Sequence, residues 1–199
     1  KDFLMVLSME GVHQENIETI HIPDYQPEKA NIQVKEQFVP KESQTKALDF
    51  TRRMNLLGAP SVLVELPTGE GKTVTLFFYM QEKGLRAGIV TSARYIEEWQ
   101  KNIVKYTKSS MDRVLLVSGG RVINDIFRGV HEDFDYVLMS IQTLREFFTA
   151  YDESPAACLD TYGGTPFELW GKLKLGILGG DEMHENLKTG YLMHTFLPG

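Results

Sequence analysis

The sequence predicts an α/β domain whose parallel sheet is covered by helices on both faces. Three observations carry this expectation. Short apolar runs of strand length recur at Ala87 to Thr91, Val114 to Val117, Tyr136 to Ser140 and Leu175 to Leu178. Between them lie segments whose apolar residues return at the helical spacing. A glycine-rich turn, Gly69 to Gly71, stands between one further apolar run and one of those helices. Short apolar strands alternating with amphipathic helices need crossover connections, and those cover a parallel sheet from above and below.

Each element follows in chain order. Residues 1–40 read as an extension or part of an accessory domain: Pro23, Pro27 and Pro40 punctuate a polar stretch with only short β-like runs such as Ile32-Gln33-Val34. From Ser43, read as a cap, Ala47, Leu48, Thr51, Met54 and Asn55 keep helical spacing until Gly58. Ser61 to Glu65 reads as a short buried strand, followed by the glycine turn and a helix from Lys72 to Lys83. Ala87 to Thr91 is the next strand, and its helix places Ile96, Trp99, Ile103 and Tyr106 on one face. Val114 to Val117 leads through Gly119-Gly120 to a helix over Val122 to Arg128. Tyr136 to Ser140 leads to a helix over Thr143 to Phe148. A loop carrying Pro155, Gly163, Gly164 and Pro166 then reaches the strand Leu175 to Leu178. The main domain is expected over 41–199, with no internal repeat.

Composition bounds the function. With 199 residues, 42% hydrophobic and 24% charged, the chain suits one globular domain with a real core. No apolar run approaches the ~18 residues of a membrane helix, so no membrane partner is expected. Phe3 to Leu7 is too short, and lacks the basic leader, for a secretory signal. The chain opens on Lys1 rather than Met, so residues upstream are expected to have been cleaved or omitted. Cys158 is the only cysteine, which excludes an internal disulfide and points to a reducing, cytoplasmic setting. The net charge of −6 runs against a dedicated nucleic-acid-binding surface, which carries a basic surplus. Any strand binding must then rest on local patches and backbone amides. His13, His21, His131 and His194 make no metal-ligand spacing with Cys158 or each other, and His184-Glu185 lacks the second histidine of a zinc-protease helix.

The strongest chemical signal is Leu66-Pro67-Thr68-Gly69-Glu70-Gly71-Lys72-Thr73. Polyphosphate needs a loop whose N–H groups can turn inward, the positive end of a helix, a lysine for the outer phosphates and a hydroxyl for magnesium. Gly69 and Gly71 supply the loop, Lys72 the charge and Thr73 the hydroxyl. Leu66 occupies the position where the strict phosphate-loop pattern has glycine. Pro-Thr-Gly-x-Gly-Lys-Thr nevertheless resembles the form this loop takes in superfamily 2 helicases.

That resemblance extends through the chain in the family's order. Asp181-Glu182-Met183-His184, after the strand Leu175 to Leu178, resembles the Asp-Glu-x-His box. It implies Asp181 on the magnesium ion, Glu182 orienting the attacking water, and His184 coupling the nucleotide to the rest of the motor. Gly179-Gly180 stands where the family has apolar strand residues, which predicts a distorted strand end or a mobile loop. Gln44 resembles the glutamine that reads adenine's edge; a surface glutamine is the competing reading. Thr91-Ser92-Ala93-Arg94 resembles the motif that grips strand phosphates, and Trp99 fits the tryptophan of the following helix, though core packing also explains it. Ser140-Ile141-Gln142-Thr143-Leu144 resembles the next phosphate-holding motif, and Gly119-Gly120 sits where relatives touch the backbone between the two. Lys101, Lys105 and Lys108 would form one basic stripe, and Arg52-Arg53 another cluster; solvated helix faces are the usual reason for both.

The resemblance spans Gln44 to Gly199 and implies the first RecA-like lobe of an ATP-dependent helicase or translocase, with Mg2+ and ATP as cofactors. Trp99 and the wording Ser-Ile-Gln-Thr-Leu stand closer to DNA translocases and branch-processing helicases (RecG-like, Swi/Snf-like, phage types) than to DEAD-box RNA helicases. DNA is therefore the expected partner rather than RNA, and the divergent motif edges suit a phage-encoded member. A second RecA-like lobe of the same polypeptide is implied, with an arginine finger worth ~10³ or more in rate, so the lobe alone should be nearly inactive. Two rivals stay open: an ATP-driven protein motor of SecA type, and a structural or virion-packaged protein that has kept the fold.

Overall fold

The computed structural model describes residues 26–59, 62–67 and 69–180. Among these residues two helices come first, α1 (Glu42–Leu56) and α2 (Lys72–Lys83). Strand and helix then alternate as β1 (Ala87–Thr91), α3 (Ile96–Tyr106), β2 (Val114–Val117), α4 (Gly120–Phe127) and β3 (Tyr136–Ser140). Three helices, α5 (Ile141–Glu153), α6 (Pro155–Tyr162) and α7 (Pro166–Leu173), precede β4 (Ile177–Gly180). The strands form one parallel sheet ordered β2-β3-β1-β4. Ala87 lies opposite Tyr136 and Ile177, and Thr91 opposite Ser140, so these strands share one C-terminal edge. The architecture is α/β, with helices on both faces, and is compatible with a RecA-like domain.

Side chains alternate across a strand, and that sorts the core into two layers. Ala87, Ile89, Tyr136, Leu138 and Ile177 meet Phe77 and Met80 of α2 and Trp99 and Ile103 of α3. Val90, Val137, Met139, Leu115 and Val117 meet α4, α5 and α7 through Ile123, Leu144, Phe147, Leu169 and Leu173. Each fully buried side chain of this size contributes roughly 1.5–3 kcal/mol, which makes both layers necessary to the sheet. Trp99 is accordingly a core residue, edge-on to Phe77.

Three expectations need correction. Residues 62–65 form no strand, and Leu63 is 76% exposed; Ser61 lies outside the described residues. β-Branched residues favour extended backbone, but a strand needs a neighbour's N–H and C=O groups, and among the described residues β1 is the one strand that pairs with β4. The Pro/Gly segment before β4 is two helices rather than a loop. Pro155 and Pro166 stand in the first helical turn, Ser154 and Thr165 cap those helices, and Gly163 closes α6 at φ +82°. Proline at a helix start and glycine at its end delimit helices. Finally, β4 continues regularly through Gly179 and Gly180, opposite Ile89 and Val90. A Cβ at Gly179 would lie 2.8 Å from Leu76 of α2, so the missing side chain lets that helix close on the strand.

The described part of the N-terminal preamble packs into the same body. Ile32 and Val34 are buried in the α2/α3 layer. Single antiparallel bridges join Lys29 to Leu85 and Val34 to Thr107. The Glu28 N–H donates to Lys174 O at 2.9 Å, and Glu28 O accepts from Arg86 N at 2.8 Å. The packed body therefore begins before residue 41. Among the described residues, no helix is long and apolar enough to cross a membrane.

Candidate functional site

The glycine loop enters α2 directly. Gly69 has φ +84° and Gly71 has φ +81°, a left-handed conformation that side chains resist. The Glu70 N–H donates to Pro67 O at 3.1 Å, which folds the loop into a turn. Gly71 is the N-cap of α2, and its carbonyl accepts from Thr75 N and from Thr75 Oγ1, each at 3.0 Å. Lys72 is exposed and Thr73 half-buried, both in the first turn of the helix. Intrahelical bonding leaves first-turn N–H groups without partners, and the helix dipole adds positive potential there.

Gln44 holds this loop from α1. Its Nε2 donates to Glu70 O at 3.0 Å and to Gly71 O at 3.2 Å, and its Oε1 accepts from Lys41 N at 2.8 Å. At 4% exposure the side chain is buried, not a surface glutamine. Reading adenine would require this network to open. The network also explains Gly71: a Cβ there would sit 2.5 Å from Gln44 Nε2. Beside it, the Ser43 hydroxyl donates to Glu70 Oε2 at 2.6 Å. Ser43, expected as the cap of this helix, stands inside α1, whose N-cap is Lys41, and its hydroxyl serves the loop instead.

The strand-end loops meet at the C-terminal edge of the sheet. Thr91 and Ser140 face each other across β1 and β3, and the Ala93 N–H donates to Gln142 Oε1 at 3.1 Å, which ties the two loops together. Three of the hydroxyls expected to grip phosphate are buried. Ser140 Oγ caps α5 by accepting from Thr143 N at 3.0 Å, and lies 2.9 Å from Thr143 Oγ1. Thr91 Oγ1 is buried without a hydrogen-bond partner among the described residues. What remains at the surface is Arg94, its guanidinium 4.6 Å from the centre of the Tyr95 ring, together with Gln142 and half-buried Ser92. Gly119, at φ +84°, opens α4 into free space, whereas Gly120 is packed, with a Cβ there lying 2.7 Å from the Tyr162 ring.

The lysine stripe lies elsewhere. Because β1 and β2 are parallel, α3 returns the chain to the opposite edge of the sheet, away from Thr91 to Arg94. Lys108 pairs with Glu36 there, Lys101 is 3.6 Å from Glu97, and Lys105 lies over Tyr106 at 4.9 Å. Arg52 is likewise engaged, with Glu82 at 2.7 Å and Asp49 at 2.5 Å. Thr68, Asp181, Glu182 and His184 lie outside the described residues. Among the described residues no group of three His, Cys, Asp or Glu could hold a metal ion. Comparison with models of known protein families gives no match, and comparison with curated proteins gives none either.

Proposed function

We propose that the chain binds Mg·ATP at Pro67 to Thr73 and is the ATP-binding lobe of a motor of superfamily 2 helicase type that moves on nucleic acid, DNA rather than RNA. The observation that supports this best is the Gly69–Gly71 loop, held at positive φ, running into the N-terminus of a twelve-residue helix and braced by Gln44. In this reading Lys72 meets the outer phosphates and Thr73 offers its hydroxyl to magnesium. The resemblance adds Asp181 to the metal, Glu182 to the attacking water and His184 to the coupling. Bound magnesium would neutralise charge developing on the transferred phosphoryl group. Arg94, Ser92, Gln142 and Gly119 would meet the strand at the same sheet edge, with Thr91, Ser140 and Thr143 supporting them from beneath.

Calorimetry with Mg·ATP tests the nucleotide site. Loss of a charge-assisted contact in Lys72→Ala should weaken binding about ten- to a hundredfold, the equivalent of ~1.5–3 kcal/mol. Equal affinity for both proteins would overturn the site. ATP hydrolysis by the polypeptide that carries both lobes, measured with DNA, RNA and unfolded protein in turn, tests the track. Stimulation by DNA supports the reading, and stimulation by polypeptide alone replaces it with the SecA-type motor.

A further inference from the structure

A carboxylate in a phosphate loop is a hazard, and Glu70 is such a group. It lies between Gly69 and Gly71, where its charge would oppose a polyphosphate. In a trans peptide the C=O of one residue and the N–H of the next point in opposite directions. Gln44 draws the carbonyls of Glu70 and Gly71 towards α1, at 3.0 and 3.2 Å. The N–H groups of Gly71 and Lys72 therefore face away from α1, and an anion bound by them lies on that far side. The Ser43 hydroxyl holds the Glu70 carboxylate at 2.6 Å, on the α1 side.

We propose that Ser43 is a positioning residue for nucleotide binding: its bond to Glu70 parks the carboxylate against α1 and off the face of the loop that takes the phosphates. This rests on the reading of Pro67 to Thr73 as a phosphate loop. Released from Ser43, Glu70 is free to swing towards the phosphates, and nucleotide affinity falls through charge repulsion. The contact thus regulates the site by the position of one negative charge.

The test is a double-mutant cycle on the full chain, read as Mg·ADP affinity by calorimetry alongside the thermal midpoint. Ser43→Ala suits the helix, since alanine is its best former. It should weaken Mg·ADP at least about fivefold, the effect of one unit charge about 4 Å away when water fully screens it. Ser43→Thr keeps the hydroxyl and should bind as wild type. Adding Ser43→Ala to Glu70→Gln should change Mg·ADP affinity no further than Glu70→Gln does alone, because the charge to be released is gone. The proposal is overturned if Ser43→Ala binds as wild type, or if it weakens binding equally with Gln at position 70. In either case a weakened Lys72→Ala would leave the nucleotide site standing. If wild type binds no nucleotide, or Lys72→Ala binds equally well, the site and the proposal fail together.

Discussion

The guanidinium of Arg86 lies over the ring of Phe134, 3.9 Å from its centre, and its Nε donates to the carbonyl oxygen of the same residue at 3.1 Å. The remaining donors reach Leu173 O at 3.2 Å and Glu132 O at 2.9 Å. One side chain thus joins the chain entering β3 to the end of α7, beneath the N-terminal edge of the sheet. Burial lowers the pKa of this guanidinium, and the surrounding carbonyls and ring compensate for the lost water.

Arg86→Met should therefore destabilise strongly, because three carbonyls lose their donor at once. The expected loss in urea unfolding is about 2–4 kcal/mol. Arg86→Lys should recover only part of it, since an ammonium cannot span the same fork. A methionine variant as stable as wild type would show that water satisfies those carbonyls.

Gly71→Ala and Gly69→Ala should separate two effects. Both residues have positive φ, which costs an L-residue roughly 1 kcal/mol or more. Only at Gly71 would the new Cβ also strike Gln44 Nε2, at 2.5 Å; at Gly69 nothing lies within 4 Å. Gly71→Ala should therefore cost more stability and more nucleotide affinity. Equal losses at the two positions, by thermal unfolding and calorimetry, would remove Gln44 from the account.

Gly164 is required by its neighbour. A Cβ there would lie 2.1 Å from the Phe127 ring, which cannot compress. Gly164→Ala should cost about 1–3 kcal/mol as overpacking. Phe127→Leu in the same chain should return part of that loss, so the two substitutions should be non-additive in a double-mutant cycle. Strict additivity would mean the loop moves away instead.

Nucleic-acid binding should depend on one edge of the sheet. Arg94→Gln should reduce the salt slope of binding by about 0.7 (single strand) to 0.9 (duplex), one phosphate contact's share. Replacing Lys101, Lys105 and Lys108 together with Gln should leave the slope unchanged, because α3 carries them towards the far edge and Lys101 and Lys108 face Glu97 and Glu36. The reverse pattern in salt titrations would move the strand-binding surface onto α3.

Local pattern made much of this legible. The helix Lys72–Lys83 and the strands Ala87–Thr91, Val114–Val117 and Tyr136–Ser140 lie where the periodicity put them, because each pattern reports a face buried in the core. Legibility ended where partners decide. Val62 to Glu65 has strand propensity without a ladder. Pro155 and Pro166 read as breakers, although after Ser154 and Thr165 they start helices. Gln44 resembles an adenine-reading glutamine in sequence, but its bonds to residues 26 and 27 positions away exist only once α1 and α2 pack. The hydroxyls of Ser140 and Thr143 match a phosphate-holding motif in sequence, and local geometry engages them at the helix start. The acidic box, with Asp181 and Glu182, lies outside the described residues.

Glu28 imposes an order of events during synthesis. Its backbone bonds to both Arg86 and Lys174, and its carboxylate reaches the Lys174 ammonium at 3.4 Å across 146 positions. Lys174 leaves the ribosome on the order of ten seconds after Glu28 at ordinary elongation rates. Throughout that interval the α1–α2 and β1–α3 region can begin to collapse, while Glu28 lacks one of its two anchors. Ile32 and Val34 can pack as soon as α2 and α3 exist, whereas Glu28, only a few residues earlier, completes its contacts after α7 has been made.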